Sequence, residues 1–339
     1  MRIVPKILLF GILCGALCRP VLAQTWSQRL GFPADKRVLI LSVRELGISW
    51  EMNEAAKDLM ASGHATSASI VVPGPWFDDI ARWSEQHQEK DFGVGIALIN
   101  PYRAINWRLF SSEVQHTTLV DADGQPWRSV VQLVVSATAD DVKREIDMQI
   151  HRAREAGVKL SHISGFHGTV FARPDIAAAY LGASRKYWLP AAVIELSRER
   201  IERFRREGFP IDPHLQQLVH SYPLPKLDDI LLMPDGPTYD EKRDAYVAML
   251  KNMPPGLVQI ISRPAVETRG LQILVPDWQQ RSWDAAVLQD PEVVKTMNDE
   301  GILVTDWRDI MHRFEARPID VHEDPPSLEF EDADAAAAE

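Results

Sequence analysis

Residues Arg37-Val38-Leu39-Ile40-Leu41-Ser42-Val43 place apolar side chains at consecutive rather than alternate positions. A strand with one wet face alternates; an unbroken apolar run belongs to a strand covered on both faces, as in a parallel sheet flanked by helices. The segments that follow repeat the pattern. A helix is predicted from about Trp50 to Ser62, with Gly63 as its stop, then a strand over Thr66 to Val72 and a helix over Pro75 to His87. Phe92 to Leu98 is the third strand, broken by Gly93 and Gly95.

Pro101 to Ser136 lacks periodicity and carries the turn signal Asp121-Ala122-Asp123-Gly124, so it reads as a long irregular, substrate-facing loop. The clearest helix runs from Ala139 to Ala156, with Thr138 as its cap and Gly157 as its end. Val142, Ile146, Ile150 and Ala153 share one of its faces. Leu160 to Ser164 is a strand, Asp175 to Leu181 a helix, and charged Arg198 to Glu207 a solvated helix. Ser221 to Tyr239 reads as a proline-punctuated loop and Leu257 to Ser262 as a late strand. Helices near Ser282 to Gln289 and Pro291 to Glu300 precede a last strand at Ile302 to Thr305. Repeated strand-helix units imply an α/β fold with a mainly parallel sheet, wound open or closed into a barrel. Chemistry in such folds gathers at the carboxyl ends of the strands, here Val43 to Gly47, Ala97 to Asn100, Ser164 to Gly168 and Ser262 to Pro264.

The ends of the chain read differently from this body. Arg2 and Lys6, the apolar run Ile7 to Cys18 and Val21-Leu22-Ala23 have the order of a secretory signal peptide over 1–23. An apolar run of about a dozen residues falls short of the roughly 20 that span a bilayer, which disfavours an uncleaved anchor. Neither Cys14 nor Cys18 follows a lipid-attachment pattern. Cleavage after Ala23 removes both cysteines, hence every disulfide and any Cys-ligated zinc, and predicts a periplasmic or secreted protein. Loss of Arg2, Lys6 and Arg19 moves the formal charge from −11 to −14. Residues 318–339 carry eight acidic residues and no Lys or Arg, and read as a disordered acidic tail. The folded domain is therefore 24–317. Its acidic balance argues against nucleic acid as a partner.

The ordered segments resemble the YdjC-like (ChbG/HpnK) carbohydrate deacetylases. Val38 to Ser49, containing Arg44-Glu45-Leu46-Gly47, is similar to the family's first strand and its Asp-Asp-Phe-Gly turn. Ala65-Thr66-Ser67-Ala68-Ser69 looks like its second strand, and Val94-Gly95-Ile96-Ala97-Leu98 stands in the place of its Gly-Leu-His-Leu. Leu119 to Gly124 with Trp127 is similar to an insertion in one branch. Ser161-His162-Ile163-Ser164-Gly165-Phe166-His167-Gly168-Thr169 looks like that branch's Thr-His-Leu-Asp-Ser-His-Met-Gly-Thr. The resemblance spans Arg37 to Ile310. It implies a distorted (β/α) barrel and metal-dependent removal of acetyl groups from N-acetylated sugars.

Such a reaction needs a metal to polarise the amide, a carboxylate base for water and an acid for the leaving amine. In the family the first Asp of the pair is the base and the second a metal ligand, with two histidines completing the site and a late His-Pro nearby. This sequence departs at each place. Arg44 holds the base position and cannot accept a proton. Glu45 replaces the ligand Asp; Ala97 and Phe166 replace the histidines; Ser164 replaces the segment's Asp; Arg263-Pro264 replaces His-Pro. No catalytic residue is assigned, and no metal or other cofactor is expected; Zn or Mg on Glu45, His162 and His167 is the fallback.

The expected ligand-binding residues are Arg44, Glu45, His167, Arg263 and Trp127. Arg44 and Arg263 could hold a carboxylate or phosphate; the plainer alternative is that each pairs with a nearby acid, Arg44 with Glu45 or another carboxylate. Trp50, Trp76, Trp107 and Trp127 could stack on a sugar ring or simply anchor loops. Asp140-Asp141 and Asp228-Asp229 need no catalytic role, and no Gly-x-Ser-x-Gly, phosphate loop or His-Glu-x-x-His occurs. The reading is an exported, catalytically inactive deacetylase-like protein that binds a carbohydrate or small polar ligand, with a protein partner as a further role. Its rivals are an active deacetylase with a rearranged metal site and a metal-independent hydrolase.

Overall fold

A computed structural model describes residues 24–114, 116–206 and 211–317. The expected signal peptide and acidic tail lie outside the described residues. The strands are β1 (Arg37–Leu46), β2 (Ser67–Ile70), β3 (Phe92–Ile96), β4 (Leu160–Gly165), β5 (Asp229–Leu232), β6 (Gly256–Ser262) and β7 (Leu303–Val304). All their pairings are parallel, in the order β4-β3-β2-β1-β6-β5, with β7 also on β1. The apolar run is the centre of this sheet, and Val38, Leu39, Ile40 and Val43 are all 0% exposed.

The regular ladder stops at β4 and β5. Between them runs the extended segment 190–195, joined to β4 through the bridge Ile163↔Ala191 and, just ahead of β5, to Leu227 through Ile194. Four backbone bonds make these seams, among them Ala192 N to Ile163 O and Leu227 N to Val193 O, both under 3 Å. The result is a distorted α/β barrel whose weakest staves lie opposite β1. Parallel pairing throughout keeps every strand's carboxyl end on one rim.

Local signals account for the helices that the sequence foretold. Trp50–Ser62 starts where Ser49 accepts from Met52 N and stops at Gly63, whose φ of 80° suits a residue without Cβ. Ala139–Glu155 is capped by Thr138 and buries Val142, Ile146, Ile150 and Ala153 completely against the sheet. Other expectations need correction. The loop expected over Ser221 to Tyr239 contains β5; four residues between prolines are too few to show a period. The irregular stretch Pro101 to Ser136 contains the short helices Phe110–Val114 and Val130–Ser136. The helix expected over Asp175 to Leu181 is Pro174–Tyr187. Trp278–Leu288 begins four residues earlier than Ser282, which brings Arg281 onto it.

Asp228, expected in a loop, is a buried junction. Its carboxylate accepts from the backbone N–H groups of Trp26 (2.9 Å), Ser27 (3.1 Å) and Leu257 (2.7 Å), tying the N-terminal helix Trp26–Arg29 to β6. Burial raises its pKa, against the three N–H groups that favour the charged form. Asp228→Ala strands those donors and should lower the unfolding free energy by about 3 kcal/mol in urea titrations. Asp228→Asn, which keeps the shape, should lose less.

Candidate functional site

At the carboxyl rim opens a cavity of about 500 Å³, lined among others by Arg44, Glu45, Phe166, His167, Arg263 and Arg281. Its first two residues come from consecutive positions on β1, which an ideal strand would send to opposite faces. A bulge resolves this. Arg44 pairs with Ser69 and Leu46 with the next β2 residue, Ile70, so Glu45 is the extra residue. Its φ is 72°, a left-handed conformation that a side chain other than glycine's seldom takes. His167 across the cavity also has a positive φ, 51°. Strained backbone at two facing residues is where binding sites commonly store it.

Glu45 is 5% exposed and fully partnered. Its Oε2 accepts from Arg281 Nη1 at 2.7 Å and from the Tyr102 hydroxyl at 2.5 Å. Its Oε1 lies 3.5 Å from His167 Nε2. Burial works against ionisation here, but Arg281, with His167 and Arg263 adding to it, holds the carboxyl well below the usual range. Burial likewise opposes the charge on Arg281, and Glu45, Tyr102 and Asp277 overcome it, so that its pKa rises. Burial beside the Glu45 carboxylate raises Tyr102, which stays a donor. Arg281 also bonds Asp277 (2.9 Å), which reaches Arg263 at 3.1 Å. One chain of charges, Glu45–Arg281–Asp277–Arg263, therefore runs along the cavity wall. Beside it Lys242 pairs with Asp284 at 2.7 Å, and Asp284 accepts from Arg263 N.

The pairing expected of Arg44 with Glu45 is corrected by this arrangement: Glu45 is taken by Arg281. Arg44 instead donates from Nη1 to the Gly165 carbonyl at 3.2 Å, and its buried Nε has no partner. Burial lowers its pKa to about 10. Arg263 does pair with an acid, Asp277.

The remaining expected residues divide. His167 lines the cavity; Phe166 also lines it and packs edge-on against Trp107. Ala97 is buried away from the cavity, its N–H and C=O both held by the Gln149 side chain. Trp127 does not line the cavity: its indole donates to Thr118 O at 2.9 Å and anchors the 117–128 loop. His162 is not with Glu45 and His167. It is 0% exposed, stacks on Trp307 and packs over Gly93, where a Cβ would come within 2.5 Å of its ring.

His162 belongs to a polar floor beneath the cavity. Ser161 Oγ donates to Phe92 O, so in the neutral ring Nδ1 donates to Ser161 Oγ at 2.9 Å. Nε2 then accepts from Ser69 Oγ at 3.1 Å, and Ser164 donates to Ser69 at 2.9 Å. Asp91 stands 3.4 Å from Nδ1. This order resembles a Ser-His-Asp relay, yet Ser69 is 1% exposed and occupied by Ser164.

Does this donor set suit a divalent cation? Among the described residues no three His, Cys, Asp or Glu side chains converge as metal ligands. The one carboxylate at the family's ligand position is already neutralised by a guanidinium. A cation there would face Arg281, Arg44 and Arg263, so the residues fit a salt bridge and not a metal. Tyr102, Arg281 and Asp277 were absent from the sequence-based site, because nothing local marks side chains brought to Glu45 from far along the chain.

Comparison with known proteins agrees with the fold. A family model described as YdjC-like protein matches residues 38–299. The chain is 22% identical over 273 residues to a carbohydrate deacetylase of Thermoanaerobacter pseudethanolicus, covering 80% of this chain and 98% of the relative. It is 23% identical over 277 residues to one of Geobacillus stearothermophilus, with 80% and 98% covered. An Enterococcus faecalis structure named for cellobiose-phosphate cleavage superposes with a TM-score of 0.63 at 18% identity, covering 80% of this chain and 98% of that one. With its parallel barrel, its rim cavity and a match over most of its described length, the chain belongs to the YdjC-like family.

Proposed function

We infer that this protein is an exported, carbohydrate-deacetylase-like protein that binds a carbohydrate or small polar ligand without hydrolysing it. One observation carries the reading: Glu45 is held by Arg281 and Tyr102, while Arg44 stands where the resemblance puts the base. Hydrolysis of an amide needs an activated water and a group to take its proton. Arg44 can do neither, and Glu45 at neutral pH is committed to its cation. The cavity itself persists, at a size within the roughly 300–1,000 Å³ of small-molecule sites. Export rests on the N-terminal pattern alone; no helix among the described residues is long and apolar enough to cross a membrane.

The test is acetate release from N-acetylated oligosaccharides by protein stripped of metal and then reloaded with zinc or magnesium. No release and no bound ion are expected. Turnover that depends on added zinc would refute the reading and restore a rearranged metal site.

The Ser69–His162–Asp91 order supports a second reading, a metal-free hydrolase with Ser69 as nucleophile. Labelling of Ser69 by a fluorophosphonate probe, abolished in His162→Gln, would favour it. Because Ser69 is buried and occupied, no labelling is expected.

The ion pair also has a signature in stability. Arg281→Met leaves Glu45 buried without its direct cation, and should cost about 3–5 kcal/mol; adding Glu45→Gln should recover much of that. The Glu45 carboxyl is depressed in the folded state, so its contribution is full above the ordinary carboxylate range. It fades as pH falls below about 4, where the unfolded chain takes up the proton first. Urea titrations should therefore show a steeper acid loss in the parent than in the double variant.

A further inference from the structure

The cavity contains one cation without a direct ion-pair partner among the described residues. Arg281 has Glu45 and Asp277, Arg263 has Asp277, and Lys242 has Asp284 and Asp235. Arg44 alone among the cavity's cations has no carboxylate within 4.0 Å among the described residues. Its guanidinium carries five N–H groups. One is used, on Gly165 O. The Nε–H is buried and unpartnered, although the side chain lines an open cavity. A buried donor left unmade is costly, and a charged one more so; the Nη2 group of the same guanidinium has no hydrogen bond and is not shut off from solvent, so a ligand can bond there.

We propose that Arg44 receives the carboxylate of a small organic acid, of the sugar-acid class, bound in the rim cavity. This deepens the ligand-binding reading above and rests on it. Three observations choose the ligand's chemistry. First, the guanidinium fork matches a planar carboxylate, with charge-assisted bonds stronger than neutral ones. Second, charge counting favours a monoanion. Glu45, Asp235 and Asp284 already line the cavity, so a phosphate dianion meets more repulsion there than a carboxylate does. Third, the surroundings suit a ring with one charged end. The partly exposed His167 is a polar group in the lining, while Phe171, Ile230, Leu232 and Met233 supply apolar lining for a ring face. Desolvation already depresses the pKa of Arg44 to about 10, a destabilisation that an incoming anion relieves.

The bulge explains how the position arises. With Glu45 as the extra residue, Arg44 stays in register with Ser69 and faces inward. The family's base position thus becomes the binding group for a negatively charged ligand. That changes both the sign of the site and what enters it.

The test is isothermal titration of the purified protein with glucuronate, glucose, glucose 6-phosphate and acetate, on the parent, Arg44→Met and Arg44→Lys. Glucuronate should bind the parent at least tenfold more tightly than glucose or glucose 6-phosphate. Arg44→Met should lose that margin, and Arg44→Lys should keep only part of it, lacking the fork. The thermal midpoint of ligand-free Arg44→Met should equal or exceed the parent's, since an unpaired buried cation has gone; this separates lost binding from lost folding. Equal binding of glucose and glucuronate, unchanged in Arg44→Met, would overturn the carboxylate and leave the carbohydrate reading standing. Arg44-dependent binding of acetate without any sugar binding would do the reverse. Tighter binding of glucose 6-phosphate overturns the monoanion in favour of a phosphate, and no binding by any of the four overturns both.

Discussion

The ion pair between Glu45 and Arg281 joins the carboxyl end of the central strand to a helix near the end of the described chain, with both partners nearly dry. Everything at the rim is arranged around it. The β1 bulge turns the carboxylate inward, Tyr102 brings the long 97–128 connection down onto it, and Asp277 passes the charge along to Arg263. A buried pair of this kind is seldom a large source of stability, because removing both charges from water costs nearly what their attraction returns. Its consequence is specificity: it fixes which charges the cavity presents and excludes a second cation from Glu45.

Under the reading proposed above, the fold keeps a pocket without the metal chemistry that the family resemblance implies. In the resemblance the position of Arg281's charge belongs to a metal. A guanidinium supplies positive charge with fixed directions and no open coordination position, so it can satisfy Glu45 and cannot acidify a water. The polar groups beneath the cavity bond to one another. His162, Ser69, Ser164 and Ser161 close into a hydrogen-bonded floor, and Ala97 is held by Gln149.

How much of this the sequence disclosed depended on range. The apolar run of β1, the Thr138 cap, the Gly63 stop and the four-residue periodicity of Ala139–Glu155 are local, and each element lies within a few residues of its expected span. β5 is only four residues long, so its neighbours rather than its pattern define it. The departures at Arg44, Glu45, Ala97, Phe166 and Arg263 were legible one by one. What replaced them was not, because Arg281 meets Glu45 across 236 residues and Tyr102 meets it across 57. The same distance hid the fate of Arg44. As a neighbour of Glu45 it looked paired; only the geometry shows that its neighbour is taken. Trp127 was misplaced for a related reason, since a loop Trp and a ligand Trp share one local sequence.

The most direct test of the central claim is a crystal structure from protein grown with excess zinc, with anomalous scattering recorded at the zinc edge. The Arg281 guanidinium is expected on Glu45 Oε2, with no anomalous peak within coordinating distance of that carboxylate. A zinc peak on Glu45, with Arg281 swung away and a water completing the ion's shell, would contradict it.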